Sequence, residues 1–185
     1  MKSLPRLLRL GAIALFSLAI VGGLGTAGVY FYISPDLPSI EKLRDVELQV
    51  PLRIYSADGV LMAEYGEKRR TPLAYDQVPE EMVHAILAAE DDRFFEHPGV
   101  DYQGLIRAVV QLVLTGEKRQ GGSTITMQVA RNFFLTREKT YIRKLREIFL
   151  ALKIERHLTK EDILELYLNK IYLGHRSYGV AAAAQ

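Results

Sequence analysis

A single glutamate at the end of a predicted helix has the setting that proton-transfer chemistry requires. Counting back from Glu90, Ile86 lies one helical turn away and Val83 two turns away, so all three share one face. A carboxyl group on an apolar face, at the negative end of the helix dipole, should keep its proton to higher pH than a solvated one. Such a group suits general acid or base catalysis. By itself, the pattern equally fits a glutamate that frays into solvent.

A second segment places two glycines before a capped helix, starting at Gln120. Ser123 is predicted to cap a short helix that begins at Thr124, and the exposed backbone N–H groups there could receive a phosphate or sugar oxygen. Arg131 follows on the same helix as a permanent cation. The Lys-Ser/Thr pair of a nucleotide-binding P-loop is missing, and a flexible helix entry explains the glycines equally well.

Three charged residues lie on one face of the next predicted helix. Arg143 and Glu147 are spaced i,i+4, and Lys144 and Glu147 are spaced i,i+3, so their charged heads can meet. An ordinary surface salt-bridge cluster would have the same spacing. Further along, Asn169 and Arg176 are polar groups at the ends of apolar segments.

Metal and thiol chemistry have little support in the composition. His84 and His97 lack ligand spacing to any second histidine, so a metal site built on histidine is not expected. The chain has no cysteine, which excludes disulfides, thiol catalysis and cysteine metal sites.

The elements that must position these groups are mostly helical. An Asp58-Gly59 turn between two short apolar runs predicts a β-hairpin, and residues 66–70 read as a basic, solvated stretch. Residues 117–122 are expected to form a mobile loop. Helices are predicted from Pro79 to Glu90, from Tyr102 to Thr115, from Thr136 onward, from Thr159 to Gly174, and from Gly179 onward. Thr159 as the cap, with Asp162 three residues later, is the entry signature of the helix from Thr159 to Gly174.

Two of these helices have a predicted buried face. For the helix after Asp101, its expected N-cap, that face comprises Leu105, Ile106, Val109, Leu112 and Val113. For the helix that starts at Thr136, it comprises Ile142, Leu145, Phe149, Leu152 and the stem of Arg156.

The N-terminal region is predicted to cross a membrane. Residues 11–33 carry no charge, a run of 23 that suffices to span a bilayer. Lys2, Arg6 and Arg9 precede the run, which places the N-terminus in the cytoplasm and the rest of the chain outside. A cleaved signal peptide is the alternative. The run is long for a signal, and Pro35-Asp36 is a poor cleavage site, so an uncleaved anchor is favoured.

These patterns divide the 185 residues into five parts. We expect a cytoplasmic tail at 1–10, a transmembrane anchor at 11–33, a linker at 34–50, a β-hairpin segment at 51–78 and a mainly helical domain at 79–185. Without the three basic residues of the tail, the 24 basic residues become 21, against 22 acidic ones. This near-neutral balance argues against nucleic acid as a partner.

Five ordered segments resemble the motifs of the peptidoglycan glycosyltransferases of family 51, the lipid II polymerases of bacterial cell walls. Residues 90–99 are similar to that family's ED-x-x-F-x-x-H-x-G pattern, and residues 121–128 to its GGST-I/L-T-x-Q pattern. Residues 143–147 resemble RK-x-x-E and residues 160–169 resemble K-x-x-ILE-x-YLN. Residues 174–180 are similar to the opening of its fifth motif. The hairpin and basic stretch look like the N-terminal part of a class A penicillin-binding protein of the Gram-negative type.

The resemblance implies a lysozyme-like helical fold with a membrane-proximal jaw, and it implies a role for each matching residue. Glu90 would be the general base for the acceptor hydroxyl, and Glu147 would assist on the donor side. Arg131, Arg143 and Lys144 would bind the diphosphate. The residues that would hold sugar or phosphate oxygens or otherwise contribute to substrate binding are Ser123, Thr124, Gln128 and Asn169.

The resemblance also implies partners and a location. The substrates would be lipid II and the growing glycan strand, at the periplasmic face of a bacterial inner membrane, with other cell-wall synthesis proteins as partners. Mg²⁺ or another divalent cation would be bound mainly through the substrate diphosphate. Two departures stand out: Met127 replaces a second glutamine that many members carry, and the chain stops inside the fifth motif, so we expect an incomplete domain that is inactive in isolation.

Two other functions remain open from the sequence. A lysozyme or lytic transglycosylase also uses a catalytic glutamate in a helical domain, although it has no need of three cations around a diphosphate. A membrane-anchored scaffold would need no catalytic group at all. An acyl-transfer site is not expected, because the only S-x-x-K, residues 39–42, lacks its partner motifs.

Overall fold

The computed structural model describes residues 4–43, 50–66, 70–116, 122–136 and 140–185, except for the side chains of residues 4–7, 36, 42, 109 and 112. The chain divides into two compact units, Met1–Pro38 and Ser39–Gln185. The glycine-rich segment predicted as a mobile loop lies outside the described residues, apart from Gly122.

The first unit consists of one long helix, α1 (Leu4–Ile33), followed by a 3₁₀ turn (Ser34–Asp36). Within α1, the 26 residues Leu8–Ile33 have a mean hydropathy of 2.0 and are long and apolar enough to cross a membrane by length and composition. A signal sequence near an N-terminus passes the same test. The structure therefore confirms that the predicted apolar segment forms a helix of membrane-spanning length.

The second unit begins with a 3₁₀ turn (Glu41–Leu43) and the predicted hairpin. Strands β1 (Leu52–Tyr55) and β2 (Leu61–Tyr65) pair antiparallel. Gly59 takes a φ of +81° in the connecting turn, a conformation that glycine adopts without steric cost. The hairpin prediction is confirmed.

Helices make up most of the remainder, so the predicted mainly helical fold class is confirmed. After a third 3₁₀ turn (Tyr75–Gln77), the helices are α2 (Glu80–Glu90), α3 (Tyr102–Thr115), α4 (Ile125–Phe134), α5 (Tyr141–Ile154), α6 (Lys160–Lys170) and α7 (Val180–Ala184). A second two-stranded antiparallel sheet, β3 (Tyr172–Gly174) with β4 (Ser177–Tyr178), lies between α6 and α7.

The core forms around α4, which packs against both α5 and α6. All three helices contribute fully buried apolar side chains, and this removal of apolar surface from water is the main stabilising term of the domain. The largest are Ile125, Met127 and Val129 from α4, Leu150 and Ile154 from α5, and Ile163, Leu164, Tyr167 and Leu168 from α6. Helices α4, α5 and α6, which carry Arg131, Arg143, Lys144 and Glu147, are therefore held together by one apolar core.

Helix caps decide two of the helix starts. Thr159 caps α6 as predicted, with Asp162 completing a reciprocal capping box. The predicted start of α5 at Thr136 is wrong. The helix begins after Thr140, whose hydroxyl oxygen accepts a hydrogen bond from the Arg143 N–H at 3.1 Å. Both threonines can cap a helix, and the sequence does not show which one the chain uses.

The predicted buried face of α5 is wrong by part of a turn. Ile142 is half exposed, whereas Glu147, Leu150, Ala151 and Ile154 are buried. The apolar pattern excluded Glu147 from the core because an unpaired carboxylate is costly to bury. Here two cations accompany it, and the burial is tolerated.

The predicted buried face of α3 is also wrong. Ile106 and Val113 are 63% and 78% exposed, and Val110 and Leu114 are exposed as well. Leu105 is half buried, and the side chains of the two other predicted positions lie outside the description. The helix has the predicted bounds, but no part of the domain that the structure describes covers these four exposed apolar side chains.

Helix α6 ends earlier than predicted. It stops at Lys170, and the residues up to Gly174 form β3 instead. The backbone then turns through three residues with positive φ, Gly174, His175 and Arg176. The final helix opens after Gly179 as predicted, with a φ of +91° at that glycine.

Arg70 ends the stretch that was predicted to be solvated, and for this residue the prediction is wrong. Its side chain is buried, with the guanidinium carbon 5.2 Å from the centre of the Tyr178 ring. Burial lowers the pKa of Arg70, because a low-dielectric environment disfavours the charged form. Stacking on an aromatic face offsets part of that cost.

Asn169 attaches the segment after the hairpin to α6. Its carboxamide oxygen accepts from the Leu73 N–H at 2.9 Å, and its NH₂ group donates to the Leu73 carbonyl at 2.7 Å. The side chain thus satisfies both backbone groups of one residue, as a neighbouring strand would.

Asn169→Ala should destabilise the domain by about 1–3 kcal/mol, because it leaves both Leu73 groups without partners. Chemical denaturation monitored by circular dichroism measures the loss. Asn132→Ala removes an exposed asparagine from α4 and serves as the control, with little expected effect. Equal stability of the two variants would contradict this role for Asn169.

Candidate active site

Glu90 occupies the last position of α2 and faces solvent. On the predicted helix face, Val83 is buried, Ile86 is half buried and Glu90 is exposed, so the face leads from the core to the surface. The Glu90 Oε2 atom accepts a hydrogen bond from Gln128 Nε2 at 2.8 Å. The carboxylate is therefore both reachable and oriented by an amide from α4.

The next residue, Asp91, is buried and joins α2 to α4. Its Oδ2 atom accepts from the Ile125 N–H at 2.9 Å, the first residue of α4, and its Oδ1 atom lies 2.9 Å from His97 Nε2. A carboxylate at a helix N-terminus is stabilised by unpaired N–H groups and by the helix dipole. Asp91 thus fixes the start of α4 directly beside Glu90.

A chain of hydrogen bonds continues from Asp91 through the following loop. His97 Nδ1 accepts from the Gly99 N–H at 3.2 Å, which assigns the ring proton to Nε2, the atom that faces Asp91. The Gly99 carbonyl accepts from the Thr124 hydroxyl at 2.6 Å. Thr124 Oγ1 also accepts from the Met127 N–H at 3.2 Å, so Thr124 caps α4. The predicted cap, Ser123, is wrong by one residue.

The same loop is bound from the other side by Lys160, which is itself paired with Glu155. Glu155 Oε1 accepts from the Thr126 hydroxyl at 2.6 Å and pairs with Lys160 Nζ at 2.8 Å. Lys160 Nζ also donates to the His97 carbonyl at 2.8 Å and lies 4.3 Å from the centre of the buried Phe94 ring. The Lys160 ammonium group thus holds the loop against α6 through the His97 carbonyl and the Phe94 ring, while Glu155 links Lys160 to Thr126 of α4.

Gly99 has no room for a side chain. Its φ is +92°, and a Cβ atom built there would lie 2.8 Å from Glu155 Cγ and 2.9 Å from the Ala151 carbonyl oxygen. Two main chains therefore meet at this point, which explains why the loop can close against α5.

The Glu90 side chain lines a cleft between α2, α3 and the N-terminus of α4. The cleft is lined by Glu90, Asp91, Asp92, Asp101, Gly104, Leu105, Arg107, Ala108, Gly122, Ser123 and Thr124. As predicted, Asp101 lies at the start of α3, where its Oδ1 accepts from the Gly104 N–H at 2.9 Å. Partial burial opposes it, but the Gly104 amide and the Arg93 guanidinium lower the pKa of Asp101, so it is a fixed negative charge.

A cluster of cations adjoins the cleft at Ser123. Lys144 Nζ donates to Ser123 Oγ at 2.6 Å and to Glu147 Oε2 at 3.1 Å, and Arg143 pairs with Glu147 Oε1. The Glu147 side chain is 1% exposed, whereas that of Lys144 is 38% exposed. Two cations around one buried carboxylate leave a positive surplus, with the ammonium group on the accessible side.

The structure brings most of the predicted site residues together. Glu90 contacts Gln128, and it shares a cleft with Ser123, to which the Lys144 and Glu147 cluster is bonded. Arg131 lies on α4 one turn after Gln128. Burial raises the pKa of Tyr167, the Glu90 carboxylate raises it further, and the positive charge of Arg131 lowers it. Asn169 does not join this group, because the oxygen and the NH₂ group of its carboxamide are both hydrogen-bonded to the backbone of Leu73.

Sequence reasoning missed the residues that hold this arrangement. Asp91, His97 and Gly99 stand within the first motif, but only Glu90 received a role there. Their signal was a large apolar residue, Phe94, among polar residues directly after the helix end, which is typical of a loop that folds back on a core. Glu155 gave no signal, because Thr126 is 29 positions away in the chain and Lys160 lies beyond the turn between α5 and α6.

Comparison with known proteins agrees with this description. The family model for transglycosylases matches residues 58–185, and the chain belongs to this family.

The relatives by sequence are penicillin-binding proteins 1A. The chain is 58% identical to that of Pseudomonas aeruginosa over 162 residues, 88% of this chain and 20% of the relative. It is 58% identical to that of Escherichia coli, covering 90% of this chain and 20% of the relative. For Vibrio cholerae the values are 51% identity, 100% of this chain and 22% of the relative. The chain thus spans about a fifth of the length of these relatives.

A crystal structure of penicillin-binding protein 1A from Haemophilus influenzae is also similar. It is 29% identical and covers 76% of this chain and 11% of that chain, with a TM-score of 0.26. A superposition at that score does not bear on the fold.

Gly99→Ala should destabilise the domain more than Gly59→Ala. Both substitutions place alanine at positive φ, which costs about 1–2 kcal/mol, but only the Cβ at position 99 meets other atoms. Nothing lies within 4 Å of a Cβ at position 59. Thermal unfolding of both variants measures the difference, and equal melting temperatures would show that the close approach at Gly99 is not a constraint.

Proposed function

We propose that this domain polymerises lipid II into glycan strands, as a peptidoglycan glycosyltransferase. The family match supports the reaction class, and the sequence relatives support the cell-wall setting. The observation that carries the proposal is that an exposed carboxylate, Glu90, and the hydroxyl that binds the Lys144 ammonium line the same cleft.

Glu90 is the proposed general base. It takes the proton from the 4-hydroxyl of the acceptor lipid II sugar, and the oxygen attacks C1 of the strand's terminal muramyl residue. The C1–O bond to the diphosphate breaks, and undecaprenyl diphosphate leaves with the electron pair. Attack from the opposite face inverts the anomeric carbon. The Gln128 amide supports this role because it fixes the carboxylate without covering it.

The cluster at Ser123 is the proposed diphosphate site. Arg143 and Lys144 neutralise the leaving group, and Arg131 adds a third cation from α4. Glu147 is buried between its two cations, so its contribution is to hold them in place on the donor side rather than to contact the sugar. Charge-assisted contacts of this kind stabilise developing negative charge most where water is excluded.

The N-terminus of α4 lies between Glu90 and the cation cluster, and it is the proposed binding site for sugar and phosphate oxygens. Ser123 and Gln128 present polar atoms there, and Thr124 fixes the first turn of α4 that carries them. We do not assign substrate to Asn169, because its amide is already paired with Leu73 on both sides.

Mg²⁺ or another divalent cation would be held mainly by the substrate diphosphate and would neutralise its charge. The donor set fits this arrangement. In the described part of the chain, no three His, Asp or Glu side chains are grouped to hold a metal ion by themselves. Glu90, Asp92 and Asp101 line the cleft and offer single carboxylates.

A location at the periplasmic face of the inner membrane suits these substrates, because both carry lipid chains. Helix α1 would be the single anchor, with its N-terminus in the cytoplasm. The exposed apolar side chains of α3, among them Ile106 and Val113, would suit contact with the bilayer. We further propose other cell-wall synthesis proteins as partners.

A lysozyme-like hydrolase or lytic transglycosylase is the nearest alternative, since such an enzyme also uses one glutamate. The cation cluster argues against it, because glycan cleavage releases no diphosphate. Incubation of the full-length gene product with lipid II in detergent distinguishes the two: strand growth supports polymerisation, and shortening of preformed glycan supports cleavage.

Glu90→Gln should reduce polymerisation by about 100-fold or more, because the amide cannot accept the proton. Lipid II binding should be largely intact, since the side chain keeps its shape. The assay is strand formation by the full-length gene product, with binding measured separately.

Glu81→Gln is the matched control, an exposed glutamate in the first turn of the same helix, and should retain full activity. Undiminished strand growth by a folded Glu90→Gln protein would favour a non-catalytic scaffold.

Lys144→Ala should raise the KM for the donor about tenfold or more, because it removes the accessible cation of the diphosphate cluster. Initial-rate kinetics on lipid II measure the effect. Lys153→Ala, on the same helix, is the comparison, and we expect it to change neither parameter. Unchanged kinetics for Lys144→Ala would remove that residue from the diphosphate site.

A further inference from the structure

The hairpin of β1 and β2 exposes an apolar face. Successive side chains of a strand alternate between two faces, and one face of this hairpin consists of the cross-strand pairs Leu52–Tyr65 and Ile54–Ala63. Leu52 and Tyr65 are 65% and 62% exposed, and Ile54 is exposed as well. The described part of the domain therefore leaves these three large side chains uncovered.

The opposite face of the hairpin carries charged side chains and contacts the rest of the domain. Arg53 pairs with Glu64 across the strands at 3.4 Å, and both side chains are half buried. Arg53 Nη2 also donates to Thr71 Oγ1 at 2.9 Å and to Gln185 Oε1 at 3.4 Å. An antiparallel sheet with one solvated face normally covers its apolar side chains and exposes its polar ones, so this hairpin has the reverse arrangement.

Such an arrangement is unfavourable for a hairpin by itself. In the part of the chain that the structure describes, β1 and β2 pair only with each other. A two-stranded sheet is marginally stable in water unless its apolar face packs against another element. A contiguous exposed apolar patch beside charged groups is typical of an interaction surface.

The relatives and one contact indicate which polypeptide covers this face. The chain spans about a fifth of the length of the penicillin-binding proteins 1A that it matches. Gln185 contacts Arg53 of β1, so polypeptide that continues from residue 185 would start beside the hairpin. An extended chain advances about 3.3–3.6 Å per residue, so a few residues suffice to reach the apolar face.

We propose that the face formed by Leu52, Ile54 and Tyr65 is the docking surface for the polypeptide that follows residue 185 in the full-length gene product. The covering segment presents apolar side chains to these three residues, and the charged face of the hairpin stays against the domain. This inference concerns assembly within the gene product and is independent of the proposed reaction.

A photoreactive side chain on the apolar face tests which polypeptide lies there. In the full-length gene product, p-benzoylphenylalanine in place of Tyr65 should, on irradiation, join to peptides from beyond residue 185, which mass spectrometry identifies. The same substitution of Tyr141, a 93% exposed tyrosine at the start of α5, is the control and should join to those peptides far less.

A matched pair of glutamate substitutions tests whether the face is buried in the full-length gene product. Leu52 and Met62 are 65% and 69% exposed in this chain, but Met62 alternates with Ala63 and so lies on the charged face. Leu52→Glu should lower the melting temperature by about 3 °C or more relative to Met62→Glu, because it places a charge in an apolar contact. Differential scanning calorimetry measures both variants.

Three outcomes would overturn the inference. Cross-links from position 65 to a second copy of the protein or to lipid would assign the face to a different occupant. Cross-links confined to residues 1–185, or none at all, would show that no later segment lies on it. Equal melting temperatures of Leu52→Glu and Met62→Glu would show that the face stays exposed to water.

Discussion

One buried carboxylate determines how the rest of the site is arranged. Asp91 binds the first N–H of α4 and the ring of His97, so the end of α2, the following loop and the start of α4 meet at a single group. Glu90 precedes it in the chain, and Gln128 follows one turn into α4. The exposed carboxylate of Glu90 and the amide that bonds to it are therefore positioned by the same interaction, which is shielded from solvent and only weakly screened by salt.

The two glutamates of the predicted site, Glu90 and Glu147, lie in opposite environments. Glu90 lies at a helix end in an open cleft, with a neutral amide as its partner. Glu147 is enclosed between Arg143 and Lys144, and its burial depends on those cations. One acid is accessible to exchange a proton, and the other organises positive charge. The same residue type thus occupies an open, accessible setting and an enclosed, charge-paired one in one domain.

The sequence predicted what is local and failed where distant contacts decide. The hairpin, the bounds of α3 and the capping box at Thr159 depend on neighbours in the chain, and the structure confirms them. The buried face of α5 depended on whether Glu147 would find cations, and the cap at Thr140 competed with an equivalent threonine. The polar ring through Asp91, His97 and Thr124 joins residues up to 34 positions apart. Neither periodicity nor capping rules can detect such a contact.

Gly99 allows a close backbone approach between the loop that follows α2 and helix α5. Because a Cβ atom at position 99 would lie 2.9 Å from the Ala151 carbonyl oxygen, the loop and α5 approach more closely than a residue with a side chain would allow. Glu147 lies one turn before Ala151 on the same helix. The distance between the loop that carries the first motif and the charged cluster is therefore defined by main-chain contact. Changes of side-chain rotamer can reshape the cleft wall, but they leave this backbone spacing between the loop and α5 unchanged.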